Sequence, residues 1–297
     1  MFRRGIAAFL LLGLTACAPP RGSRIVIGAK NFTEQVVLGE LLAQEIEAVF
    51  RAEGKPQQVE RRFYLAGSYL CHQALVTGRI DGYVEYSGTA LTAILKQPLP
   101  PVKDRATVFA TVSELYAKRY GVKVEPGLGF EDTFAMVVRS DDAQRLKLEK
   151  ISDVQAGASA MRLGVGYEFQ ARPDGLDGLE KIYALQFGAP RVMDLGLLYR
   201  ALGAGQVDIV AGNSTDGPIR ALGFKVLEDD RHYFPPYEAV PLIRQDSLDR
   251  HPEIQVAMDR LAGKISATEM QGMNDAVDGR HEDVGKVVDR FRQEKGL

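Results

Sequence analysis

The chain has 297 residues, with 37 Lys and Arg against 39 Asp and Glu, a formal net charge of −2. That balance leaves no basic excess for nucleic-acid binding, and the one long apolar run, at the N-terminus, is too short to span a bilayer permanently. Two cysteines exclude a disulfide-stapled scaffold, and a chain of this size is expected to fold as two lobes.

Arg3 and Arg4 supply a positive start, residues 6–14 an apolar stretch, and Leu14-Thr15-Ala16-Cys17 a small-residue cleavage site. Residues 1–16 therefore read as an export signal. Leu-Thr-Ala-Cys resembles the lipobox of bacterial lipoproteins, which implies cleavage before Cys17, a diacylglyceryl group on that residue, and an exported domain anchored to a membrane by lipid. Residues 17–23, rich in Pro, Gly and Ser, read as the lipidated tether. Subtracting Arg3 and Arg4 leaves 35 basic and 39 acidic side chains, a mature net charge of about −4. With Cys17 lipidated, Cys71 has no intrachain partner and is expected to be a small buried apolar side chain.

Residues 24–30 form a β-rich run. Asn31-Phe32-Thr33-Glu34 then reads as a capping signal, and Val37, Leu38, Leu41, Leu42, Ile46 and Val49 follow at helical spacing. A strand over 57–65, a helix over 68–77 ended by Gly78 and a strand over 80–85 come next. A helix beginning near Thr89 stops near Pro98. Further strands are predicted over 133–139, 162–165, 206–211 and 239–244, and helices over 151–155, 175–183, 197–204 and from 252 to the C-terminus. Such alternation argues for α/β layers with largely parallel sheets, whose ligands sit outside the carboxyl ends of the strands.

Asp81-Gly82-Tyr83-Val84-Glu85-Tyr86-Ser87-Gly88-Thr89 ends a strand on an aromatic ring and opens a helix. A ring face attracts an organic cation, and the free N–H groups of a helix start attract an anion. The pairing suits a small zwitterion. Gly212-Asn213-Ser214-Thr215-Asp216-Gly217-Pro218 repeats the device, with Thr215 or Asp216 as N-cap and Pro218 in the first turn. No Gly-x-Ser-x-Gly, Gly-x-x-x-x-Gly-Lys or His-Glu-x-x-His motif occurs. The four histidines are scattered, and Gly164-Val165-Gly166 lacks a third glycine because Phe169 stands there. Neither an enzyme nor a cofactor or metal is expected.

Five segments together resemble the substrate-binding proteins of bacterial ABC importers for glycine betaine, choline and related quaternary amines. They are Gly28-Ala29-Lys30-Asn31-Phe32-Thr33-Glu34-Gln35, the Ile80 to Thr89 stretch, Glu168-Phe169-Gln170-Ala171-Arg172-Pro173-Asp174-Gly175, Ser214-Thr215-Asp216-Gly217 and the run from Leu227 to Tyr237. The resemblance implies a type II periplasmic-binding-protein clamshell. Lobe 1 would come from 24–129 and 233–297, lobe 2 from 130–232, with the ligand in the cleft between them. It also implies delivery of the ligand to a membrane permease and its ATPase, in a periplasmic or other extracytoplasmic location.

By the same resemblance the cation side falls on Tyr86, Phe134 and Tyr237 with Asp132 as the acid, and the anion side on Lys30, Thr89 and Arg172. The same residues have plainer roles: Lys30 as a surface lysine, Arg172 as a structural ion-pair partner, Tyr237 as hinge packing, and Glu131 in place of Asp132. Two positions depart from the family pattern, Asn213 and Phe134, where tyrosine is frequent. Asn213 adds a hydrogen-bonding group, so the expected ligands extend from glycine betaine and choline to carnitine-like and ergothioneine-like betaines. An amino acid or other polar solute, or a sensory role, is the alternative.

Overall fold

The computed structural model describes residues 24–98 and 104–297; the export signal, Cys17 and the tether lie outside the described residues. Ten strands are present among those residues: β1 (Ile25–Gly28), β2 (Val59–Arg62), β3 (Gly82–Tyr86), β4 (Val122–Val124), β5 (Phe134–Val138), β6 (Leu163–Val165), β7 (Arg191–Val192), β8 (Ile209–Asn213), β9 (Lys225–Val226) and β10 (Ala239–Arg244). They form two five-stranded sheets, ordered β2-β1-β3-β10-β4 and β7-β6-β8-β5-β9. Both ends of the chain contribute to the first sheet, and its middle builds the second. The result is the two-lobed α/β clamshell of the type II binding proteins.

The expectation of largely parallel sheets needs correction. β1 runs parallel to β2 and β3, and β6 parallel to β7 and β8, but β10 is antiparallel to β3 and β4, and β5 is antiparallel to β8 and β9. The cause is the route of the chain. A segment arriving from the cleft enters a sheet at the carboxyl ends of its parallel strands, so it must run against them. Ala239 accordingly pairs with Tyr86 at the end of β3, and Phe134 with Asn213 at the end of β8.

The two segments that cross between the sheets, 125–133 and 227–238, are joined to each other. Asp132 N–H donates to the Tyr237 carbonyl at 3.1 Å and Ala239 N–H to the Phe130 carbonyl at 3.1 Å. This places Asp132 and Tyr237 side by side where the lobes meet.

Helix Thr33–Ala52 buries Val37, Leu38, Leu41, Leu42 and Ile46 completely, as the spacing predicts. Its outer side is covered by the C-terminal helices Glu253–Leu261 and Val284–Lys295. The capping signal does not operate there. Phe32 is the N-cap, and its ring has no oxygen to cap with; Thr33 Oγ1, one position inside the helix, donates to Asp278 of helix Ala267–Asp278. After β3, a single helical turn Ser87–Thr89 widens into a π-helical turn, Ala90–Ile94, a feature common near functional sites.

Gly88 lies against the second crossing segment. A Cβ there would fall 2.6 Å from the Pro236 carbonyl oxygen and 2.8 Å from the Tyr237 ring. Gly88→Ala is expected to cost about 1–3 kcal/mol by overpacking. Urea unfolding measures this, and an unchanged midpoint would contradict the tight seating of the β3 tip on that segment.

Candidate functional site

Because β1 and β3 are parallel neighbours, the segments that follow them lie side by side and bring Lys30 next to Tyr86 and Thr89. β6 and β8 do the same for Arg172 and Asn213. Between these two sets of strand ends lies a cavity of about 330 Å³, at the small end of the range for ligand pockets. Lys30, Tyr86, Thr89, Asp132, Phe134, Arg172, Asn213 and Tyr237 all lie on its wall, together with Phe32, Tyr167, Glu168, Phe169 and Asp194. Phe169, which breaks the glycine motif in the sequence, belongs to the aromatic wall. Its ring meets Phe134 edge-on at 4.9 Å, and Phe134 meets Tyr237 at 5.7 Å.

Both helix starts are packed against neighbouring segments. Ser87 N–H donates to the Glu238 carbonyl at 2.9 Å and its hydroxyl to the Pro236 carbonyl at 3.1 Å, so this helix start grips the crossing segment. The second start, at Gly217, is covered by helix Ala267–Asp278, whose Asp275 nitrogen would lie 2.7 Å from a Cβ on that glycine.

Both basic side chains are buried and already paired. Lys30 donates to Glu85, a carboxylate that also accepts from Tyr83 OH at 3.1 Å and Tyr86 N–H at 2.8 Å. The Lys30 ammonium sits 4.8 Å from the Tyr86 ring centroid. Arg172 holds Asp174 with two hydrogen bonds, Nε to Oδ1 at 2.9 Å and Nη2 to Oδ2 at 2.6 Å, and lies 4.8 Å from the Phe134 ring centroid. Asp174 also accepts from Tyr237 OH at 2.6 Å and Thr92 Oγ1 at 2.9 Å. Burial pushes the Asp174 carboxyl up, but Arg172 outweighs it and holds the group below its usual range. Ring and cation are thus interleaved rather than segregated on two sides of the cavity.

The acids on the opposite wall have no such partners. Asp132 Oδ1 accepts from Thr215 N–H at 3.2 Å and Ser214 Oγ at 3.4 Å. Behind it, Glu34 accepts from Tyr86 OH at 2.7 Å, Thr215 Oγ1 at 2.5 Å and Asn274 Nδ2 at 3.1 Å. Asp216 accepts from Tyr199 OH at 2.7 Å and Asn213 N–H at 2.8 Å. Among the described residues no ion pair involves these three carboxylates. Burial lifts Glu34 to about 7 and Asp216 to about 6, and burial with the charges of Glu34 and Asp216 lifts Asp132 well above the carboxylate range. Glu131, the alternative acid, points away and pairs with Arg105.

Several of these contacts cross the cleft. Thr215 joins Glu34, Thr92 joins Asp174, and Glu168 accepts from Ser68 N–H at 2.6 Å and Ser68 Oγ at 3.1 Å. Gly67 leaves room for the Glu168 carboxylate beside Ser68, since a Cβ there would lie 2.1 Å from Glu168 Oε1 and displace it. Glu34, Glu168 and Asp174 sit inside the sequence segments already singled out, but their contacts across the cleft, to Thr215, Ser68 and Thr92, span 181, 100 and 82 positions and carry no local signal.

Comparison with known proteins gives a consistent picture. Residues 23–294 match the family described as the substrate binding domain of an ABC-type glycine betaine transport system. A carnitine transport binding protein of Listeria monocytogenes is 32% identical over 99% of this chain and 97% of its own length. A glycine-betaine-binding protein of Pseudomonas aeruginosa is 30% identical over 96% of this chain and 92% of its own. An ergothioneine transport permease/binding protein of Helicobacter pylori is 30% identical over 97% of this chain, which corresponds to 51% of that longer protein. A crystal structure of a glycine betaine/carnitine/choline ABC transporter protein superposes with a TM-score of 0.75 at 32% identity, covering 92% of this chain and 98% of that one.

The raised Glu34 carboxyl makes stability depend on pH. Its folded value, about 7, exceeds the ordinary 4.5, so its contribution is fully present below about 4.5 and is lost as pH rises through about 7. Glu34→Gln imitates the protonated state at every pH. The melting-temperature difference between Glu34→Gln and the native protein should therefore move in favour of the variant from pH 5 to pH 8. A difference constant across that range contradicts a proton on Glu34.

Proposed function

The chain belongs to the family of substrate-binding domains of ABC-type glycine betaine transport systems, and from that premise we propose that it captures a small quaternary ammonium solute and delivers it to a membrane permease with its ATPase. The observation that carries the ligand class is the wall of Tyr86, Phe134 and Tyr237 facing one cavity with the buried acid Asp132. A quaternary ammonium has no N–H to donate, so ring faces and a carboxylate field are the means available to hold it. Three desolvated ring contacts at about 1–2 kcal/mol each, with Asp132 ionising beside the bound cation, offset ordering costs and support micromolar binding near −8 kcal/mol.

Lys30, Thr89, Arg172 and Asn213 complete the proposed contacts at the polar end. Asn213 and the relative in Helicobacter pylori favour one second reading, a larger betaine with an additional polar ring. Lobes over 24–129 with 233–297, and over 130–232, close on the ligand. We assign no catalytic step to the chain. Residues 1–16 serve as an export signal, and Cys17 carries the lipid that keeps the domain at the outer side of a membrane.

Millimolar choline, glycine betaine, carnitine or ergothioneine should raise the melting temperature of the mature domain by mass action. If none does, the ligand class is wrong. Tyr237→Leu and Tyr86→Leu should each weaken binding by about 5–30-fold, from the loss of about 1–2 kcal/mol, whereas an affinity that survives both changes points to a hydrogen-bonded polar solute. Cys17→Ser should abolish incorporation of labelled palmitate and release the protein from the membrane fraction.

A further inference from the structure

Five arginines gather at the end of the first sheet that lies farthest from the cleft. Arg24 precedes β1, Arg79 leads into β3, Arg244 ends β10, and Arg250 ends the helix Gln245–Arg250 that follows. Arg62 reaches the same place by donating to the Arg79 carbonyl at 2.8 Å. Together they line one depression of about 130 Å³ with Asp81 and Asp246. Strand direction fixes this position. β1 and β3 run toward the cleft and β10 runs back from it, with Ile243 opposite Gly82, so the depression lies a strand length, about 17 Å, behind the cavity wall.

The acids present do not match these cations. Asp81 serves the fold: it accepts from Val26 N–H at 2.8 Å and Ser247 Oγ at 2.6 Å, and Arg250 stands 3.5 Å from it. Arg244 holds Asp246 with two hydrogen bonds of 2.8 and 2.9 Å and donates to the Leu75 carbonyl at 2.9 Å. Glu60 is shared by Arg24 and Arg62. Among the described residues Arg79 takes part in no ion pair, and Arg24, Arg79 and Arg250 are exposed. Five arginines thus face three carboxylates, in a chain whose mature charge is about −4. Such a patch attracts anions, and guanidinium groups match phosphate oxygens in particular.

The chain itself limits what comes within reach of this face. Arg24 stands seven residues after Cys17, a span of at most about 25 Å. The patch therefore surrounds the point where the domain joins its tether. We propose that the arginine-lined base of the first lobe rests on anionic phospholipid headgroups of the membrane that holds the tether, leaving the cleft lifted away from the bilayer. This rests on the reading of Cys17 as the lipid-bearing residue and goes beyond it, since a lipid on a tether limits distance but sets no orientation. Two unmatched positive charges at an anionic surface favour the oriented pose about 30-fold.

Arginine footprinting tests the orientation. Cys71 is buried, with its thiol pushed up to about 12, so in the mature chain Cys17 is the thiol that couples to a maleimide-bearing phospholipid in preformed vesicles. This supplies the anchor chemically, whether or not cells attach a lipid. Modification by phenylglyoxal, read by mass spectrometry, is compared on vesicles of phosphatidylcholine and of phosphatidylcholine with phosphatidylglycerol. Arg24, Arg79 and Arg250 should react at least about threefold more slowly on the anionic vesicles, with the exposed Arg200 and Arg220 of the second lobe unchanged. Equal rates on both vesicles, or slowing spread over all five arginines, overturns the proposal. Equal slowing by millimolar inorganic phosphate on neutral vesicles marks a site for a free anion and overturns the membrane as occupant. Arg79→Glu should keep the melting temperature and return Arg24 and Arg250 to their rates on neutral vesicles, and Arg24→Glu gives the same readout at Arg79 and Arg250 should the first variant fail to fold. Shielding retained in a folded variant contradicts the electrostatic basis. Absence of palmitate on Cys17 in cells counts against the lipid anchor and leaves this footprint untouched, so the two readings fail separately.

Discussion

Two buried ion pairs, Lys30 with Glu85 and Arg172 with Asp174, hold the walls of the cleft. Each cation lies against a ring that faces the cavity, and each carboxylate is fixed by tyrosine hydroxyls as well. Taking such charges out of water costs several kcal/mol per ion unless partners satisfy them. For Asp174 the partners come from both halves of the architecture: it belongs to the second lobe, while Thr92 and Tyr237 reach it from the π-helical turn after β3 and from the crossing segment. The Arg172–Asp174 pair therefore ties together groups from both sides of the cleft, whereas Lys30, Glu85, Tyr83 and Tyr86 form their cluster within the first lobe alone. Removing one member would leave the other buried and unmatched, a larger loss than the pair's own net worth.

The acids on the other wall follow a different logic. Glu34, Asp132 and Asp216 converge on Thr215 from helix Thr33–Ala52, the first crossing segment and the turn after β8. Hydroxyls and amides satisfy their lone pairs, and with no cationic partner burial raises all three carboxyls and favours their protonated forms. Ring faces beside acids that can ionise next to a cation suit a ligand cation that cannot donate hydrogen bonds. Glu34 and Thr215 meet across the cleft, so the same contact that satisfies the buried acid also links the two lobes.

Much of this was legible in the sequence, and the failures have identifiable causes. The helix after β1 and the strands at 24–30, 133–139 and 239–244 carry strong periodic or β-branched patterns, and all appear. The helix Arg105–Tyr120 is not foreseen, because its buried stripe is only Val108, Val112 and Tyr116, one residue per turn. The antiparallel entry of β5 and β10 depends on the path of the crossing segments, which local patterns do not encode. At the site, residue types at strand tips indicated which side chains gather. They did not indicate that Lys30 and Arg172 come with their own counter-ions, since Glu85 lies 55 positions from Lys30 and alternation alone gives it no partner. Asp174, two residues from Arg172, was within view, but the bidentate geometry depends on how Arg172 turns back before Pro173.

The central claim is that an organic cation sits among Tyr86, Phe134 and Tyr237 beside the buried carboxyl of Asp132. A crystal structure with arsenocholine tests it most directly, because anomalous scattering from arsenic marks the cation without ambiguity. The account predicts the arsenic within about 6 Å of the three ring centroids, closer to Asp132 than to Lys30 or Arg172. Arsenic outside this cavity, or with its cationic group turned toward Arg172 and away from the rings, would contradict it.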